Sequence, residues 1–195
     1  MIAGLILAAG ESRRMGTDKA TLVYGGRTFL EAIVQTLREA EIEPIVVVLG
    51  HHAEEIQRQV NLEATQLVIN PDYRSGQTSS LQTGLRALSA NDPEAILLCL
   101  VDHPAISAGT VRSLVATFRL SGAPVVIPTY RGRRGHPVLI GRQVFGDLLV
   151  LASDLGADSV VRKYRPATQF VEVEDEGVVI DVDDQEGYAR LVLKR

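Results

Sequence analysis

Apolar residues gather in short unbroken runs: IAGLILAA at 2–9, PIVVVLG at 44–50, TQLVIN at 65–70, AILLCLV at 95–101 and APVVIP at 123–128. None alternates with a period of two, which is how strands covered on both faces read. The segments between them change period. TFLEAIVQTLREAEI at 28–42 sets Leu30, Ile33, Val34 and Leu37 on one stripe, and 78–88 and 107–120 repeat that spacing, with Ser107 as a helix cap. Strand and helix alternating in this way predict a Rossmann-like α/β fold with a doubly wound, mostly parallel sheet.

The C-terminal third departs from the pattern. HPVLIG at 136–141, QFVEVE at 169–174 and VVIDV at 178–182 read as strands, EDEG at 174–177 as a hairpin turn, and EGYARLVLKR as a last helix. Antiparallel or mixed pairing is expected there. No repeat or low-complexity linker interrupts the chain, so residues 1–195 are read as a single domain.

Composition narrows the function. A net charge of −4 provides no bulk attraction for nucleic acid or an anionic membrane, so any bound anion must be held by a local cluster. Aromatic residues make up only 5 %, and no basic–aromatic interleaving supports nucleic-acid binding. The apolar start lacks a cationic segment before it, and no run approaches the ~20 residues of a membrane helix, so a cytoplasmic protein is expected. The lone Cys99 excludes an internal disulfide and reads as a small buried hydrophobe.

Ligands of open parallel sheets bind at the carboxyl ends of the strands. After the first strand comes AAGESRRMGTDK, in which Arg13, Arg14 and Lys19 crowd a loop with Glu11 and Asp18. It has neither the Gly-Lys-Ser/Thr of a P-loop nor the three glycines of a dinucleotide fold. It reads either as a phosphate cradle, with small residues admitting backbone N–H groups, or as a solvated turn with internal Arg–Glu pairs. After the fourth strand, Asp102 in VDHPAIS is either a Mg²⁺ ligand or a turn residue. Asp181 and Asp183, two apart, offer a second metal arm, or Asp183 or Asp184 caps the last helix. Thr78, Ser79 and Ser80 stand at a helix start, able to read a base or ribose or simply to cap. YRGRRGHP places Arg134 and His136 in a cationic segment suited to an anionic second substrate. His51 and His52 have no partner at metal-binding spacing and are assigned to the surface.

The order of these segments is more specific than any one of them. LAAGESRRMGTDK resembles the L-A-A-G-x-S-x-R-M-G-x-x-K pattern of the MobA-like nucleotidyltransferases, and most resembles their molybdenum cofactor cytidylyltransferase (MocA-like) branch. The likeness continues through NPDYRSGQTSSLQTGL, VDHPAIS, GHPVLI and VVIDVDDQEGY, across essentially the whole chain. It implies the nucleotide-diphospho-sugar transferase type of fold, and transfer of CMP from CTP to molybdopterin, with Mg²⁺ and release of pyrophosphate. In that reading Arg14 and Lys19 are the catalytic cations. Ala8, Ala9, Gly10, Ser12, Arg13, Gly76 and Ser80 hold the nucleotide, and Asp102 and Asp181 hold the metal. Arg134 and His136 face the acceptor. Ala9, where guanylyl-transferring relatives usually carry glycine, matches the cytidylyl pattern.

The sequence departs from the family at Val101, at Asp183-Asp184-Gln185 and at Asp158, where the family often has arginine near the acceptor. Rival expectations are GTP or a sugar or lipid-precursor phosphate on the same fold, and a non-catalytic factor serving a molybdoenzyme or its chaperone.

Overall fold

The computed structural model describes residues 1–193. In chain order the elements are β1 (Ile2–Ala8), β2 (Val23–Tyr24), β3 (Arg27–Thr28), α1 (Phe29–Glu39), β4 (Ile45–Leu49), α2 (Ala53–Gln59), β5 (Gln66–Ile69) and α3 (Gln77–Leu88). There follow β6 (Ala95–Leu100), α4 (Ala108–Ser121), β7 (Val125–Tyr130), β8 (Arg133–Arg134) and β9 (Val138–Gly141). The chain continues through α5 (Phe145–Leu149), α6 (Asp158–Lys163), β10 (Gln169–Glu172) and α7 (Gln185–Leu193).

The main sheet runs β10-β7-β9-β6-β1-β4-β5, with β8 paired to β7. β1, β4, β5 and β6 pair in parallel, whereas β9 lies antiparallel between β6 and β7. From β1 the chain winds out through β4 to β5 and then returns to the other side of β1 as β6. The order therefore reverses between β1 and β6, and a crevice opens there.

Successive residues of β1 serve opposite cores, which explains the unbroken apolar run. Ile2, Ile6 and Ala8 pack with Leu30, Ile33 and Leu37 of α1, Ile56 of α2, and Val111, Leu114 and Phe118 of α4. Ala3, Leu5 and Leu7 pack with Leu81, Leu85 and Leu88 of α3, Leu148 of α5 and Val160 of α6. Cys99 lies inside the first core, where burial pushes its thiol pKa up. The Ser107 cap predicted from the sequence forms, and α1 has a cap of its own. Thr28 and Glu31 form a reciprocal capping box on α1, and the Ser107 hydroxyl accepts from Thr110 N–H on α4.

The C-terminal third has the expected mixed pairing, with β9 antiparallel to β6 and β7 and β10, over residues 169–172, parallel to β7, but the segment after β10 differs from expectation. Residues 178–182 are not a strand. The Asp175 carboxylate accepts from Gly177 N–H, Ser107 N–H and the Thr110 hydroxyl, which turns the expected hairpin into a 3₁₀ turn over Glu176–Val179. The chain then follows the sheet's edge by isolated hydrogen bonds, His136 N–H to Val178 O and Val182 N–H to Asp102 O. The last helix is α7, and residues 194–195 of the expected helix lie outside the described residues. Among the described residues no helix is long and apolar enough to cross a membrane.

Candidate active site

A cavity of about 340 Å³ occupies the reversal point, lined by Ala8, Ala9 and Gly10 from the end of β1 and by Val101 and Asp102 beyond β6. That volume is within the range of small-molecule sites. The loop after β1 forms a second wall. Ser12, at φ +48°, accepts Met15 N–H and Gly16 N–H on its carbonyl and Lys19 N–H on its hydroxyl, folding residues 12–19 into a closed turn. Met15 is buried beneath this turn, and the Gln185 side chain donates to its carbonyl, tying the loop to α7.

This fold brings Lys19 to the centre. Its ammonium lies 2.8 Å from Asp183 Oδ1 and 3.3 Å from Asp102 Oδ2, and Arg14 donates to the other Asp183 oxygen at 2.9 Å. Burial by itself raises the pKa of Asp102, but the His103 hydrogen bond at 2.9 Å and the charges of His103 and Lys19 outweigh it and hold the carboxyl down at about 2. Asp183 is also held below the usual carboxylate range, chiefly by its hydrogen bond from Lys19. Both carboxylates are therefore ionised at neutral pH. Each presents an oxygen to the same cationic point, an all-oxygen donor set that suits a hard divalent ion such as Mg²⁺.

Of the two aspartates read as a possible arm opposite Asp102, it is Asp183 that shares Lys19 with it. Asp183 lines the cavity, while Asp181 is exposed and does not. The neighbouring Asp184 accepts from Gly187 N–H and caps α7. His103 went unread as a partner of Asp102, although the two are sequence neighbours.

The remaining predicted residues separate. Ser80 and Gly76 line the cavity with Gln77 and Tyr73, and the buried Asn70 amide donates to both Ser79 and Ser80 at 2.9 Å. Arg13 also lines it, yet its guanidinium donates to Glu11, which Arg74 pairs from the other side, so that hydrogen bonds from the two arginines hold Glu11 down at about 2. The internal Arg–Glu pairs of the solvated-turn reading are therefore present at the rim, while Lys19 faces the cavity.

Arg134 and His136 do not line this cavity. Arg134 stacks on Phe170 at 4.9 Å, and His136 lies against His103 with ring centroids 5.0 Å apart. Burial, reinforced by the His103 charge, pushes His136 from its ordinary 6.5 down to about 4. A histidine held neutral in the fold but free to protonate when unfolded stabilises the fold above pH 6.5 and loses that contribution as the pH falls towards 4. Thermal unfolding of wild type is expected to weaken through this window, and His136→Gln to flatten the slope. Equal slopes would show that His136 is not the titrating group. The contribution of Asp102 is lost only lower, as pH falls from 3.8 towards 2.

The site defines a class: a nucleotide-binding α/β protein with a lysine bridging two carboxylates at the switch point of its sheet. The match to the MobA-like NTP transferase domain over residues 4–168 makes this explicit, and the chain belongs to that family. "Nicotine blue oxidoreductase" of Paenarthrobacter nicotinovorans is 33 % identical over 98 % of this chain and 96 % of its own. A "Probable molybdenum cofactor guanylyltransferase" of Opitutus terrae is 35 % identical over 64 % of this chain and 59 % of its own. Among solved structures, Rv0371c from Mycobacterium tuberculosis superposes with a TM-score of 0.88 at 31 % identity, covering 98 % of this chain and 97 % of that one.

Proposed function

We propose that residues 1–195 act as one Mg²⁺-dependent nucleotidyltransferase domain in the cytoplasm, moving CMP from CTP to a phosphate-bearing molybdopterin. The observation that carries this reading is the Lys19 ammonium held between Asp102 and Asp183, on the wall of a cavity bounded by the backbone of Ala8, Ala9 and Gly10. An acceptor phosphate oxygen forms a bond to the α-phosphorus while the bond to the β-phosphate oxygen breaks, and pyrophosphate leaves with the electron pair. The acceptor is already anionic at neutral pH, so no general base is needed. Lys19 and Arg14 offset the negative charge that builds on the leaving oxygens, and backbone N–H groups of the loop bind phosphate. Asp102 and Asp183 would hold Mg²⁺, which when bound neutralises triphosphate charge.

CTP is favoured because Ala9, which lines the cavity, matches the cytidylyl pattern where guanylyl-transferring relatives usually carry glycine. The molybdopterin acceptor, and with it a molybdoenzyme or its chaperone as partner, is supported by the guanylyltransferase names among the relatives. A second reading, oxidoreduction, is favoured by the relative named an oxidoreductase, which matches along nearly the whole chain.

The deciding experiment offers CTP, GTP, NADH and NADPH to the purified protein and follows thermal stabilisation and turnover. With Mg²⁺ and molybdopterin, CTP should stabilise the protein and release pyrophosphate. Stabilisation by GTP alone overturns the cytidylyl assignment, and consumption of a reduced nicotinamide without pyrophosphate release selects the second reading.

A further inference from the structure

His51 and His52 follow β4, thirty-odd residues from the β1 loop in sequence, yet both turn onto one of its side chains. His51 Nδ1 lies 3.4 Å from Asp18 Oδ1, and His52 Nδ1 lies 3.0 Å from Asp18 Oδ2. The donor atoms of all three residues fall within 4.8 Å of one another. Two ligands held about 2.1 Å from a common metal stand roughly 3.0–3.4 Å apart at angles between roughly 90° and 109°.

The backbone is built around this meeting. His52 sits at φ +48°, a left-handed conformation that folds its ring back against that of His51, with centroids 3.6 Å apart. His51 N–H donates to Ala9 O, fixing the turn to the end of β1. The Asp18 side chain is only 15 % exposed, and no lysine or arginine forms an ion pair with it among the described residues. Every other carboxylate around the cavity, Glu11, Asp102 and Asp183, has such a partner.

We infer that Asp18, His51 and His52 form a second cation site, for a divalent transition ion that accepts imidazole and carboxylate together, as zinc and cobalt do. The donor chemistry separates it from Asp102 and Asp183: two imidazole nitrogens are poor ligands for Mg²⁺ and good ones for the softer divalent ions. Because Asp18 lines the nucleotide cavity and immediately precedes Lys19, a bound ion clamps the β1 loop to the turn after β4. The site stands whether or not the nucleotidyl-transfer reading holds.

Calorimetric titration of zinc into the chelator-treated full chain, with excess Mg²⁺ occupying all-oxygen sites, tests it. One equivalent should bind, with cobalt giving visible absorption bands of a nitrogen-ligated ion. His52→Asn, which tolerates the left-handed backbone, should weaken binding at least about tenfold, by analogy with losses at metal sites. The His51→Ala/His52→Ala double variant should lose binding altogether, while His136→Gln retains it. Thermal unfolding without metal checks that each variant is folded. Equal binding by wild type and the double variant overturns the site, as does loss of binding in His136→Gln alone, which places the ion at the His103–His136 pair. Failure of wild type to bind zinc or cobalt leaves Asp18 as a simple hydrogen-bond acceptor and overturns it equally.

Discussion

Lys19→Ala should lower pyrophosphate release by at least about a hundredfold, the scale seen when one preorganised charge-stabilising group is removed from an active site. The reason is local. The Lys19 side chain is only 12 % exposed, and its charge is shared between Asp102 and Asp183. Removing it takes away a cation from the cavity wall and also leaves two carboxylates facing an anionic triphosphate with less compensation. Binding and rate should therefore both suffer. Arg14, at 72 % exposed, is more solvated and contributes less per charge. Lys19→Arg should not rescue the activity, because a planar guanidinium cannot occupy the point between two carboxylates that a compact ammonium fills. Steady-state pyrophosphate release, with thermal unfolding to confirm the fold, is the measurement. A folded Lys19→Ala protein retaining most of its activity would remove Lys19 from the chemistry.

The largest loss of stability is expected from Gly135→Ala. A Cβ at this position would stand 2.1 Å from Val178 O and 2.6 Å from the carbonyl carbon. These are backbone atoms, and both strands of the contact are tied. Gly135 N–H donates to Pro128 O, and His136 N–H donates to that same Val178 O. Neither side can yield without breaking a hydrogen bond, so the cost should reach about 3 kcal/mol, the upper end for overpacking. For a domain of this size that corresponds to a fall of roughly 6–12 °C in Tm. The displaced segment leads to Asp183, so activity should fall as well. A change in Tm below about 2 °C would show that residues 176–180 move aside freely.

Much of the scaffold was legible in the sequence because it depends on local or short-period signals. An unbroken apolar run such as 2–9 can be satisfied only by burial on both faces, which in turn requires helices on both sides of the sheet. Ser107 caps its helix through a bond three residues away, a range that sequence spacing conveys directly. The C-terminal third carried equally apolar runs, but its hydrogen-bond partners are distant in the chain. Val178 O is taken by His136 and Val182 N–H by Asp102, so no ladder forms and the apolar run does not become a strand. For the same reason the period-two argument failed to choose between Asp181 and Asp183, since it assumes a regular strand that the 3₁₀ turn over Glu176–Val179 precludes.

The sequence by itself determined the doubly wound α/β sheet, the loop after β1 as the place to look, and the membership that its ordered motifs imply, since each rests on residues close together or on their order. Only the tertiary structure decided which aspartate shares Lys19 with Asp102, that Arg13 is spent on Glu11, and that His51 and His52 converge on Asp18. These pairings span from two residues to more than a hundred and sixty. Electrostatic and hydrogen-bond partners are chosen by distance in space, and that distance is set only when the strands of the sheet bring their carboxyl ends together.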